Sequence, residues 1–311
     1  MIAAHNDPSA QLRRFVYTLL IVTSVATMVG RIMSVESASG KTAMLSANDR
    51  SRWCTIRALV DHGTYEIDDV IQRGTDWYTI DLVRHHGADG REHFYSSKPP
   101  LLSTLLAGEY WLIKTVADVN LADKPFYVAR LMLIVTNVLP LVLYFVVLAW
   151  IVESLSASDW SKLFVMACAT WGTFLTTFAV TLNNHLPAAI SVLLALHAAI
   201  RILHHGDLQL RWFAVAGLFS ALAVTNELPA LALLAMLFVA FVWRAPVPTM
   251  TAFVPAAILV AIAFFATTYA AHQSLRPPYA HRSDGDLVAT VSLAGSELNT
   301  PDALRKIRDE L

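Results

Sequence analysis

Apolar residues in this chain run in long blocks separated by polar stretches. Clear blocks lie at Phe15–Met33, Tyr127–Val152, Lys162–Leu182, His185–Leu203 and Thr249–Ala271. A helix that crosses a bilayer needs about 20 consecutive apolar residues, so each block predicts one crossing. Arg211–Trp243 is too long for one ordinary crossing and is broken by Asn226, Glu227 and Pro229. It predicts two short helices joined as a hairpin, because such breaks at membrane depth survive only against protein or water. The block from Pro99 to Val116 is short and carries Glu109 and Lys114.

Loop charge decides what that last block does, since short cytoplasmic loops are enriched in Lys and Arg. If Pro99–Val116 does not cross, Arg13, Arg14, Lys162, Arg201, Arg211 and Arg244 all share the cytoplasmic side. The opposite turns, Asn183–Asn184 and Asn226–Glu227, then carry no positive charge. If it crosses, Lys162, Arg201, Arg211 and Arg244 move outside. The charge pattern therefore predicts an all-α polytopic membrane protein with about seven transmembrane helices, and Pro99–Val116 as an interfacial helix. The organisation expected is a cytoplasmic N-terminus (1–14), an uncleaved first span (15–33) and a large extracytoplasmic loop with juxtamembrane helices (34–126). A six-helix bundle (127–271) and an extracytoplasmic tail (272–311) follow. The tail ends in a charged helical stretch, Pro301–Leu311, and the chain is read as a possible piece of a longer enzyme.

Composition agrees. The 311 residues are 56% hydrophobic and 15% charged, with a mean hydropathy of +0.51. Soluble domains hold about 45–50% apolar and about 25% charged residues. A net charge of −1 gives no basic field for nucleic acid. Cys54 and Cys168 lie far apart and offer neither a disulfide framework nor a metal spacing.

Chemistry concentrates in the outer loop. Asn48-Asp49-Arg50-Ser51-Arg52-Trp53 opens a short helix that stops near Gly63, and Asn48 or Asp49 suits its cap. A cap at Asp49 would accept Asn at little cost. Glu92-His-Phe-Tyr95-Ser-Ser-Lys98-Pro99-Pro100 places an aromatic pair and a cation before a rigid double proline, which also suits a turn onto the interfacial helix. Asn184-His-Leu-Pro-Ala and Asn226-Glu-Leu-Pro-Ala echo one another, each at the outer end of an inward-running helix. His185 and Glu227 thus reach the same face as the loop, where ionisable groups near span ends are site candidates. Arg31, at the outer end of the first span, is placed to meet a lipid phosphate. Glu66 and Asp68 form a weak candidate pair for a divalent cation, with a solvated loop as the simpler reading.

The order of these features resembles the GT-C superfamily of glycosyltransferases, in particular its aminoarabinose and protein O-mannosyltransferase branch. The similarity covers about the first 140 residues by motif, through to Arg130 at the next span, and extends to Ala216–Pro229. The resemblance implies a sugar donor linked to polyprenyl phosphate and an extracytoplasmic acceptor, at the face of a cell (inner or plasma) membrane. It implies Asp49 as general base, with Arg52, Trp53, Tyr95 and Lys98 at the donor. Arg50 stands where the family often has a second acid. The resemblance implies no cofactor, a divalent cation at Glu66 and Asp68 stays an open alternative, and the oligomeric state is not specified. The competing readings are a polytopic transporter or lipid-binding protein, and an inactive or partial GT-C fold. A transporter would show charged mid-span positions and broken-helix repeats, whereas here the polar mass lies in one outer loop.

Overall fold

The computed structural model describes residues 8–71, 75–155 and 158–281 in full, and the backbone of 282–283, 290–293 and 296–299. Helix α1 spans Pro8–Ser34 and buries only a stripe, Arg13, Tyr17, Ser24, Met28 and Ile32. Leu12, Phe15, Leu19 and Val22 on its other faces are exposed. Water-facing helices show the reverse pattern, so this surface suits lipid. Among the described residues four helices are long and apolar enough to cross a membrane: α1, α4 (Pro125–Leu155), α6 (His185–Leu203) and α9 (Pro246–His272).

The expected count of seven spanning helices is therefore corrected. Helices α5 (Asp159–Trp171), α7 (Leu210–Asn226) and α8 (Leu231–Arg244) hold 13, 17 and 14 residues. Gly172 ends α5 early, and the chain continues through a helical turn at Leu175–Phe178. The open backbone there is satisfied by a buried side chain, the Asn137 amide donating to the carbonyls of Ala179 and Thr181 at 3.0 Å each. The break at Asn226–Pro229 separates α7 from α8, as expected.

Two prolines inside long helices leave the same mark. A π turn at Ile134–Val138 precedes Pro140, and another at Thr249–Phe253 precedes Pro255. Proline lacks an N–H and clashes with the carbonyl four residues back, which falls in the middle of each π turn; the wider turn makes room for it. Helix α7 crosses the second π turn through its small residues Ala216, Gly217, Ser220 and Ala221. A methyl group on Gly217 would run into the Phe253 carbonyl, so backbone packs directly on backbone.

One end of the bundle carries the basic residues of its short connections. Arg13 holds Glu153 at the end of α4 and Asp159 at the start of α5, and Lys162 also faces Glu153. Trp150, His197 and Trp212 bring the ends of α4 and α6 against the start of α7, and Arg244 reaches the turn at Gly206. The large loop folds at the other end. There α2 (Ala47–Asp61) packs on α3 (Pro100–Ala117) around Trp53, Ile56 and Tyr110. Asp61 ties them further, taking the Tyr110 hydroxyl at 3.1 Å and Lys114 at 2.7 Å. Helix α3 keeps Leu105, Trp111, Leu112 and Val116 exposed.

The fold also departs from all-α in this loop. Strands β1 (Leu82–His86) and β2 (Glu92–Ser96) form an antiparallel hairpin, with Val83 opposite Tyr95 and His85 opposite His93. A second backbone hairpin joins β3 (Thr290–Leu293) to β4 (Ser296–Asn299). The helix expected at Pro301–Leu311 lies outside the described residues.

Candidate functional site

A cleft of about 600 Å³ opens where the loop meets the bundle. Its polar part is set by Arg52, Lys98, Asn184, His185 and Glu227; its lower wall is Phe264 and Phe265 of α9. Four of the residues singled out from sequence therefore meet here, from stretches far apart in the chain. The two echoed motifs meet through their first residues. The Asn184 amide donates to the Asn226 carbonyl at 2.9 Å and to Glu227 Oε1 at 2.6 Å, and His185 Nδ1 touches the same carboxylate. Asn184 was the signal sequence reading left aside: it heads the motif that His185 belongs to.

Arg52 is almost wholly buried, 4% exposed. Its guanidinium donates to the Asn48 side chain and carbonyl and to Asn184 Oδ1. Burial lowers its pKa to about 10, against the opposing pull of Asp49, Asp81 and Glu227. Lys98 sits beside it, its ammonium 2.8 Å from Asp81 Oδ2, while Asp81 Oδ1 takes the Ser97 hydroxyl at 2.5 Å.

Asp49 does not line the cleft. It is 2% exposed, and each oxygen is engaged. Oδ1 accepts from Trp53 Nε1 at 2.7 Å and from the Leu182 N–H at 3.1 Å; Oδ2 accepts from the Leu45 N–H at 3.0 Å. Ser46, not Asp49, caps α2, its hydroxyl accepting from the Asp49 N–H at 3.1 Å. Burial raises the Asp49 pKa to about 6, and the three donors and Arg52 hold it from rising further. The placement of Asp49 as a carboxylate facing an acceptor is corrected accordingly: in this arrangement it joins α2 to the stretch before α6. Trp53, 1% exposed, is its partner in the core rather than a cleft wall.

Tyr95 is also buried and lies one step behind the cleft, in a crevice it shares with Lys98 and His272. Burial, with Glu66 adding to it, pushes its hydroxyl up. His85 stacks on Tyr95 at 4.1 Å and sets its Nε2 2.9 Å from His272 Nδ1; the His281 ring is 4.8 Å from His85. These rings anchor the hairpin to the segment after α9, whose Leu275 and Tyr279 wall the cleft. Arg31 is exposed on α1 and is not part of the cleft.

Glu66 and Asp68 are spent on other partners. Both face His93 Nδ1, at 3.6 and 3.3 Å, and Asp68 accepts from the Phe94 N–H at 3.1 Å. Burial lowers the His93 pKa but Asp89, Glu66 and Asp68 outweigh it, so the imidazole is raised. Among the described residues no group of three or more His, Cys, Asp or Glu is arranged to hold a metal ion.

About one turn along α9 from Phe264, a separate apolar groove of about 380 Å³ lies between α8 and α9, lined by Leu231, Leu234, Phe238, Ala257 and Ala261. Comparison with known proteins adds nothing to this geometry. No family model, curated protein or solved structure matches the chain.

Proposed function

We propose that this chain is a multi-pass membrane glycosyltransferase that takes a sugar from a polyprenyl-phosphate carrier and transfers it to an extracytoplasmic acceptor. The observation that carries the reading is a cleft lined by two cations, a carboxylate and the Phe264 and Phe265 rings, with a separate apolar groove about one turn further along the same helix, α9. That order of chemistry fits a ligand with a sugar, then a phosphate, then a long hydrocarbon tail. Orientation follows from the charge of the short connections: those at the end opposite the cleft are flanked by Arg13, Arg14, Lys162, Arg201, Arg211 and Arg244, which favours the cytoplasm.

In this reading the acceptor hydroxyl attacks the sugar carbon as the bond from that carbon to phosphate breaks. Polyprenyl phosphate leaves with its growing negative charge opposite Arg52 and Lys98, which favours the transition state. The acceptor proton passes to Glu227, the carboxylate that reaches the cleft, with Asn184 and His185 holding it in place. Asp49 acts behind them by fixing the helix that carries Arg52.

Lipid extraction from the purified protein, followed by mass spectrometry and a transfer assay with the lipid found, tests this. Wild type is expected to retain a polyprenyl-phosphate-linked sugar and transfer it. Glu227→Gln should still retain the lipid and transfer about 10²–10⁴-fold more slowly. Retention without transfer by wild type would favour a lipid-binding protein or an inactive fold, and no retention would end the proposal.

A further inference from the structure

At the end opposite the cleft a second cavity of about 380 Å³ lies between the ends of α4 and α6 and the start of α7, lined by Trp150, His197, Arg201, His205 and Trp212. We propose that it binds the phosphate headgroup of an anionic membrane lipid, independently of the outer cleft and of the activity assigned to it.

Depth is the first support. Trp150, Arg201 and Trp212 all lie within about two turns of a helix end, the level where indole rings and headgroups share the membrane interface. Charge is the second. Arg201 and Arg211 each stand about 5 Å from the Trp212 ring, at 5.3 and 5.0 Å. Asp207 takes one of them, pairing with Arg201 at 2.9 Å while accepting Trp212 Nε1 at 2.7 Å. Arg211 and Arg244 form no ion pair among the described residues; Arg211 lies over the Trp212 ring that lines the cavity, and Arg244 reaches the Gly206 turn next to His205, so both add positive charge near it without lining it. Unused hydrogen-bonding capacity is the third: Arg201 Nε and His197 Nδ1 meet no partner among protein atoms. Basic pockets between spanning helices are suited to lipid phosphate, with the aromatic rings flanking the glycerol and upper chains.

The test uses the full chain in nanodiscs of equal phosphatidylglycerol and phosphatidylcholine, with bound lipid read by native mass spectrometry after release. Wild type is expected to keep phosphatidylglycerol over phosphatidylcholine. Arg201→Gln and the double variant Arg211→Gln with Arg244→Gln should each lower that preference, by about fivefold per charge removed. The double variant breaks no ion pair, so its loss cannot be ascribed to misfolding around Asp207. Equal retention of the two lipids by wild type, or an unchanged preference in the double variant, overturns the proposal. Displacement of the lipid by millimolar inorganic phosphate also overturns it, because the site then serves a free anion.

Discussion

Leu182 and Asp49 lie far apart in the chain and meet through one hydrogen bond, the Leu182 N–H donating to Asp49 Oδ1 at 3.1 Å. With Trp53 and Leu45 it completes a set of three donors around two buried oxygens. A side-chain amide has only one acceptor oxygen, and its NH₂ would face a donor. Asp49→Asn is therefore expected to destabilise the protein by about 1–3 kcal/mol, contrary to the low cost expected of a simple cap. Thermal melting in detergent measures it; an unchanged melting temperature would show that Asp49 is not held as described.

The same carboxyl gives a pH dependence of definite sign. Its pKa rises on folding from 3.8 to about 6, so the folded state binds the proton more tightly. The stability this confers is complete below about pH 4 and is lost as pH rises through 6, a change of roughly 3 kcal/mol. Melting curves of wild type minus Asp49→Asn, between pH 4 and 7, should show that decline. A difference curve flat across the window would refute it.

Lys98 separates a phosphate site from a structural turn. Lys98→Ala is expected to weaken donor binding by about tenfold or more, since charge-assisted hydrogen bonds contribute about 1.5–3 kcal/mol. Lys98→Arg should recover part of it while keeping the pair with Asp81. Donor affinity that is equal in wild type and Lys98→Ala would leave Lys98 as no more than the partner of Asp81.

Two glycines make a paired test of helix packing. A Cβ on Gly217 has no room against the Phe253 carbonyl, whereas one on Gly108 of α3 meets nothing within 4 Å. Gly217→Ala should lower stability by about 1–3 kcal/mol as α7 and α9 are pushed apart. Gly108→Ala should be neutral or gain about 0.5–1 kcal/mol from helix propensity. The two variants behaving alike would contradict the close crossing.

The ends of the bundle can be labelled from outside the cell. In a Cys168→Ser background, a cysteine at exposed Lys41 is expected to react with an impermeant reagent, and one at exposed Leu208 is not. Labelling at 208 but not 41 would invert the orientation.

How much of this was legible beforehand depended on range. The long helices follow from apolar run length, and the break before α8 from Asn226, Glu227 and Pro229. The β1–β2 hairpin had a local signal that went unread, Gly87-Ala-Asp-Gly90 between two short runs, with Gly90 at φ +76°. The early end of α5 was marked by Gly172. The burial of Asp49 had no local signal, because Leu182 arrives from another segment. Likewise the partnership of Lys98 with Asp81, and the phenylalanines beneath Glu227, exist only after the loop and α9 have docked. Sequence reading found residues that meet at the cleft but not which of them would face it.

The walls of the cleft come from near residues 48–52, 97–99, 184–185, 224–229 and 264–279. A chain delivered into a membrane from its N-terminus places the first two groups early and the last only when α9 has entered. Until then Arg52 and Glu227 have no phenylalanine floor and no wall at Tyr279. The pocket is thus completed only once α9 has entered, and a chain stalled before α9 presents Arg52 and Glu227 without the wall that Phe264 and Phe265 form.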